Sequence, residues 1–294
     1  MFGVHRLHVL RSTAHTKQKY CRFRIEMNPA QTFRYRSGST NSILIRSDGL
    51  EFLRSLPADA ASLVFLDPPF NLGKDYSKRS PALDRKPENA YERWMSAVLF
   101  ESVRILKPGG TLYLYHVPLW AVRFGALLDH ALAFRHWIAI SMKNGFVRGR
   151  RLYPAHYALL MFTKGKPKTL RVPKLPLEEC RHCGEYVKDY GGYLRLVETN
   201  GINLSDFWDD LSPVRHSSRK NRTANELPTK LYRRIFEISG RQGELYVEPF
   251  AGGGTGVVSA INFKMRFAAC DLLAANFKTI RSRLLALNNE NGRK

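Results

Sequence analysis

Leu245-Tyr246-Val247-Glu248-Pro249-Phe250-Ala251-Gly252-Gly253-Gly254-Thr255-Gly256-Val257 runs from a short apolar strand through a glycine loop into an apolar helix. Glycines at such a junction let backbone approach a ligand closely, and a helix N-terminus favours negative charge. Spacing tests two common readings. A Walker loop needs Gly-Lys-Ser/Thr at its end, which is absent, and the dinucleotide pattern needs a third glycine where Val257 stands. A second strand, Phe267 to Cys270, ends in Asp271, 19 residues beyond Gly252. An acid at about that distance can accept from the two hydroxyls of a ribose. Loop and acid together point to an adenosine-containing ligand held by its ribose and amino acid portions. A tight structural turn beside a surface aspartate is the competing reading.

Upstream, the pattern alternates. Ile43–Ile45 and Ser62–Leu66 read as strands, with a helix over Gly49–Leu56 between them. Tyr91, Trp94, Met95, Val98 and Ile105 recur at helical spacing until Lys107-Pro108-Gly109-Gly110 stops them, and Thr111–Tyr115 is the next buried strand. Further signals follow at 119–133, 136–142 and 156–163. Strands alternating with helices predict an α/β fold, a doubly wound and mostly parallel sheet whose ligands sit at the carboxyl ends of its strands.

The second decisive stretch is Asp67-Pro68-Pro69-Phe70, directly after a buried strand. Two prolines fix the backbone and remove two N–H donors, so the Pro68 carbonyl and the Asp67 carboxylate are presented as neighbouring acceptors. Two acceptors beside an aromatic ring suit a planar heterocycle with an exocyclic amino group. Asp-Pro-Pro is also an ordinary turn.

Composition narrows the partner. The 294 residues hold 47 Lys and Arg against 25 Asp and Glu, a formal charge of +22. Such an excess suits a polyanion, because neutralising phosphates releases condensed counterions. At 44% apolar and 12% aromatic the chain can bury a full core. The longest stretches without Asp, Glu, Lys or Arg, 108–122 and 249–263, fall short of the roughly 18 apolar residues of a membrane-spanning helix. Four cysteines make no disulfide scaffold and no secretory segment opens the chain, so a soluble protein of the cytoplasm is expected.

Together, Asp67-Pro68-Pro69-Phe70-Asn71 and Glu248-Pro249-Phe250-Ala251-Gly252-Gly253-Gly254-Thr255 resemble the amino-group DNA methyltransferases. Their order, catalytic turn before cofactor loop, is similar to the circularly permuted beta class. Ser47-Asp48-Gly49, Leu106-Lys107-Pro108-Gly109-Gly110, Trp208-Asp209-Asp210 and Leu227-Pro228-Thr229-Lys230 look like further landmarks of that family. Phe70 replaces the more usual Tyr, and Glu248 stands where Asp is common. The resemblance implies a sheet of the S-adenosylmethionine-dependent methyltransferase type, S-adenosylmethionine as cofactor and double-stranded DNA as partner. It assigns Asp67, Pro68, Pro69 and Phe70 to catalysis, and Asp48, Glu248, Phe250, Gly252, Gly254, Thr255 and Asp271 to the cofactor. The implied reaction is direct methyl transfer to a flipped-out base, at N6 of adenine by the Asp form of the turn, or else at N4 of cytosine. A catalytically silent DNA-binding module is the remote alternative. A homodimer and a paired restriction endonuclease are compatible with the family and left open.

Four segments are expected. Residues 1–40, with eight Lys or Arg and one acid, read as a flexible basic arm or a transit segment, with Met27 as an internal start, and 41–163 as the catalytic half. Residues 164–222, basic and without period, form the target-recognition insert, and 223–294 the cofactor half. Arg148, Arg150, Arg151, Arg215, Arg219 and Arg222 are the expected DNA contacts. Cys180 and Cys183 supply only half a zinc site; Tyr186, Tyr190 and Tyr193 are expected to pack a small insert, with DNA contact as the competing reading, and Trp208 is expected in the core.

Overall fold

The computed structural model describes residues 31–37, 40–72, 86–141, 152, 155–180, 182–186, 190–211 and 226–291. Its strands are β1 (Thr32–Ser37), β2 (Thr40–Arg46), β3 (Ala61–Leu66), β4 (Leu106–His116), β5 (Ala133–Ser141), β6 (His156–Thr163), β7 (Lys174–Leu175), β8 (Ile202–Asn203), β9 (Phe207–Trp208), β10 (Leu245–Glu248) and β11 (Arg266–Asp271). Its helices are α1 (Gly49–Ser55), α2 (Glu88–Ile105), α3 (Pro118–Asp129), α4 (Leu194–Asn200), α5 (Thr229–Ser239), α6 (Thr255–Asn262) and α7 (Ala274–Asn291).

One sheet of nine strands runs in the order β1-β2-β11-β10-β3-β4-β6-β5-β9, and β7 pairs β8 apart from it. From β2 to β4 every neighbour is parallel; β1 and β6 are antiparallel to theirs. Strand alternation divides the core. Ile43, Ile45, Val64, Leu66, Leu112 and Leu114 bury against α1, α2 and α3, whereas Leu44, Leu63, Phe65, Tyr113 and Tyr115 bury against α5, α6 and α7. Helices on both faces make the doubly wound α/β fold that the alternating pattern predicts.

Three expectations need correction. Part of the basic arm is sheet: Thr32–Ser37 pairs with β2, burying Tyr35 while Arg34 and Arg36 face out. A period of two over six residues is legible, but the arginines mask it as charge. Next, Lys107-Pro108-Gly109-Gly110 lies within β4, as a bulge where the register with β3 jumps from Ala61↔Leu106 to Leu63↔Thr111. Gly109 takes φ +78° there, and its N–H donates to the Lys164 carbonyl at 2.7 Å.

Residues 164–222 are not one irregular insert. Because β6 runs antiparallel to β4, its end at Thr163 lies at the amino ends of the parallel strands, away from the ligand rim. Lys164 ties that end down through the carbonyls of Val103 and Leu106. Arg171 then caps α5, donating to the carbonyls of Glu237 (2.7 Å), Phe236 (3.3 Å) and Gly240 (2.5 Å). Beyond α4, β9 rejoins the main sheet beside β5, and Trp208 is buried under Arg234 at 5.2 Å, in the core as its sequence suggests. Two-residue strands and single capping arginines carry no periodicity.

Candidate active site

Each of the five strands from β2 to β4 across the sheet delivers a polar residue to one rim: Asp48 just after β2, Asp271 ending β11, Glu248 ending β10, Asp67 after β3 and His116 ending β4. The antiparallel β6 starts at that rim and contributes Tyr157. The two sequence motifs are therefore neighbours in space. Asp67 raises the pKa of Glu248, and of the Tyr115 and Tyr157 hydroxyls, after the larger effect of burial on each.

Glu248 is fully buried. Its Oε1 accepts from the Tyr232 hydroxyl at 2.9 Å, while among the described residues Oε2 has no hydrogen-bond partner. Burial pushes its carboxyl up to about 8, and the hydroxyls of Tyr232 and Tyr246 pull the other way. A Cβ on Gly256 would stand 2.4 Å from Oε2, so glycine is required for α6 to begin against this carboxylate. Gly252 has φ +51°, and a Cβ there would meet no atom within 4 Å. The loop thus leaves space where a ligand would lie.

Asp271 does more than wait for a ribose. Oδ2 accepts from the Gly252 N–H at 2.9 Å, and Oδ1 from the Leu273 N–H at 2.9 Å and Asn276 Nδ2 at 3.0 Å. It holds the glycine loop itself; a carboxylate has about four acceptor positions, so capacity for a ribose remains. Asp48 caps α1, accepting from Leu50 (2.9 Å) and Glu51 (3.2 Å) N–H groups through Oδ1. Phe250 lies over Gly49 and edge-on to Trp94, centroids 5.8 Å apart.

Thr255 donates its hydroxyl to Glu226. Arg283 of α7 binds Glu226 at 2.5 Å and the Gly253 carbonyl at 2.6 Å. Neither Glu226 nor Arg283 is legible in the sequence as part of the site, since they are 57 residues apart and belong to no motif. Phe70, the aromatic ring beside the two acceptors, is only 7% exposed. Its ring lies 4.8 Å from His116, 5.9 Å from Tyr115 and 5.7 Å from the half-buried Tyr157. Missed alongside it were Tyr91 and His116, joined by a hydrogen bond behind the Asp67 turn.

The six arginines expected to contact DNA, Arg148, Arg150, Arg151, Arg215, Arg219 and Arg222, lie outside the described residues. Cys180 and Cys183 share a tight turn in which the Gly184 N–H donates to the Cys180 carbonyl at 2.8 Å. Among the described residues no three His, Cys, Asp or Glu side chains gather to hold a metal. Tyr186 and Tyr193 are exposed, Tyr193 by 67%, so they do not pack the insert as expected. No described helix is long and apolar enough to cross a membrane.

Comparison with known proteins agrees with the fold. A family described as DNA methylase, for N6 and N4 positions, matches residues 61–281. The chain is 44% identical over 213 residues to the type II methyltransferase M.BamHI of Bacillus amyloliquefaciens, covering 72% of this chain and 50% of that protein. It thus spans half the length of that relative. Among solved structures it is similar to the cytosine-N4-specific PvuII DNA methyltransferase, with a TM-score of 0.61 at 15% identity over 83% of this chain and 86% of that one. It is also similar to a DNA modification methylase of Thermus thermophilus, solved with S-adenosyl-L-methionine, with a TM-score of 0.53 at 21% identity over 82% and 93%.

Proposed function

The chain belongs to the DNA methylase family of N6 and N4 amino-group enzymes, and from that premise we propose that it transfers a methyl group from S-adenosylmethionine to an exocyclic amine in double-stranded DNA. One observation carries the reading: a buried carboxylate oxygen, Glu248 Oε2, lacks a partner among the described residues at the rim that also holds Asp67. An amino acid ammonium supplies what that oxygen lacks, and the open space over Gly252 accommodates the ligand that bears it. The residues present therefore fit the cofactor.

S-adenosylmethionine supplies an electrophilic methyl group on sulfur. Glu248 receives the ammonium, Gly252 and Gly254 give it backbone access, Asp271 takes the ribose hydroxyls, and Phe250 bounds the pocket. Asp48 and Thr255 contribute by shaping α1 and the glycine loop. Across the rim, Asp67 and the Pro68 carbonyl accept both N–H bonds of the target amine. That amine is a poor nucleophile because its lone pair is delocalised into the ring; two acceptors localise the pair and aim it. Preorganised acceptors of this kind act where charge develops. Pro69 stiffens the turn. Duplex DNA hides the amine, so the base must leave the stack, and Phe70 with Tyr157 forms the aromatic wall that receives it.

Adenine N6 is the reading favoured by the Asp form of the turn. Cytosine N4 is the second, favoured by the fold shared with a cytosine-N4-specific enzyme. Sequence recognition is assigned to residues beyond Arg171 in the 164–222 segment, with Arg215, Arg219 and Arg222, and to Arg148, Arg150 and Arg151 after β5. The type II name of its relative supports a modification system, and with it a paired restriction endonuclease. The test is incubation with S-adenosylmethionine and unmethylated genomic DNA, then nuclease digestion and mass spectrometry. N6-methyladenine is expected; N4-methylcytosine alone would replace the base and keep the chemistry, and no methylated base would overturn the function.

A further inference from the structure

Behind the Asp67 turn lies a buried chain of hydrogen bonds whose direction can be worked out. Tyr91 of α2 and His116 at the end of β4 are both buried. The Val117 N–H donates to His116 Nδ1 at 2.8 Å. A ring nitrogen that accepts carries no hydrogen, so the neutral ring keeps its proton on Nε2. Nε2 stands 2.7 Å from the Tyr91 oxygen, and the Tyr91 hydroxyl donates to the Pro69 carbonyl at 2.6 Å. The order is therefore His116 Nε2–H to Tyr91, and Tyr91 O–H to Pro69 C=O. Burial holds His116 down at about 3, so the ring stays neutral at any working pH and the order does not reverse.

The relay ends one peptide from the Pro68 acceptor. The proline rings fix φ at 68 and 69 but leave ψ free. Holding the Pro69 carbonyl fixes ψ at 69, and because a residue before proline is confined to extended ψ, the Pro68 carbonyl and the Phe70 ring are placed relative to that anchor. His116 also lies against the Phe70 ring, 4.8 Å between centroids.

We propose that Tyr91 and His116 are positioning residues that hold the Asp67 and Pro68 acceptors and the Phe70 wall in the geometry for methyl transfer. This rests on the functional reading above. Neither side chain touches the base; both act through the turn. A pair that merely satisfied buried polar atoms would affect melting temperature alone.

The experiment compares His116→Gln with His116→Asn and adds Tyr91→Phe. Glutamine places its amide nitrogen near the Nε2 position and can still donate to Tyr91; asparagine reaches only the Nδ1 position. Single-turnover methylation is measured on an oligonucleotide duplex carrying the site mapped for the wild-type protein, alongside cofactor affinity, duplex affinity and melting temperature. A misplacement of about 1 Å can cost roughly 100-fold. His116→Asn and Tyr91→Phe should therefore slow the chemical step by roughly 10- to 100-fold with both affinities unchanged, and His116→Gln should keep it within about threefold. Equal single-turnover rates for the two His116 variants, at matched melting temperatures, would overturn the relay even if Tyr91→Phe does not fold. So would a loss confined to affinity. Wild-type protein that methylates no DNA would overturn the functional reading, and this role with it.

Discussion

Glu248 couples proton binding to both folding and ligand capture. Its carboxyl moves from an ordinary 4.5 up to about 8 in the folded chain, chiefly through burial. Between those values the native state holds a proton that the unfolded chain has lost, so stability from this group is present below pH 4.5 and declines up to about pH 8. Glu248→Gln should flatten that part of the pH–stability curve, as urea unfolding from pH 5 to 9 would show. A bound ammonium demands the ionised carboxylate, so S-adenosylmethionine should release a proton at pH 7 and bind roughly tenfold more weakly for each unit below about 8. Calorimetry in buffers of different ionisation enthalpy measures that proton, and the Gln variant should release none. Asp67 tests the other half of the rim. Asp67→Ala removes one of two acceptors, and loss of one preorganised contact commonly costs about 10² to 10³ in rate. Turnover should fall by at least that much while cofactor affinity persists, since the glycine loop is a separate element. Full turnover by folded Asp67→Ala would remove the mechanism.

The glycine loop is held as a unit by Asp271 from one side and by Glu226 and Arg283 from the other. Replacing Glu226 by Ala strips Arg283 and Thr255 of a charged partner, a loss of about 1.5–3 kcal/mol for hydrogen bonds to a charged group. The melting temperature should fall and cofactor affinity should weaken while turnover at saturating cofactor is retained. Arg171→Ala should likewise lower the melting temperature by uncapping α5, but it should leave the methylated DNA sequence unchanged, because Arg171 sits at the far end of the sheet. A changed target sequence would return residues 164–171 to the recognition region. These elements mark how much the sequence revealed. The glycine loop, Asp271 and the Asp67 turn were legible because each is a local string at a strand end, where chain order and function coincide. The Glu226–Arg283 clamp, the His116–Tyr91 relay and the Arg171 cap were not, because each joins residues distant in sequence through side-chain reach. Phe70 was legible as the ring beside the two acceptors, but its burial was not, since that depends on Tyr115, His116 and Tyr157 from other strands.

At the scale of the whole chain, a formal charge of +22 predicts DNA binding that weakens steeply with salt, log affinity falling by about 0.9 per phosphate neutralised for each tenfold in salt. The edge of the sheet shows where the basic N-terminal segment joins the described fold. β1 pairs Thr32 with Ile45, and the adjacent Arg46 pairs with Asp271, so Thr32 stands at the ligand rim. Residues 1–31 carry Arg6, Arg11, Lys17, Lys19, Arg22 and Arg24, and the chain enters the described fold at this rim. The register of the hairpin thus brings the chain into the sheet at the ligand rim and not at the opposite end. A chain beginning at Met27 should keep its single-turnover rate on saturating duplex yet show a shallower salt slope and a slower association rate. Stopped-flow binding across a salt series separates the two. An unchanged slope would mean that the charge ahead of Met27 never meets the phosphates.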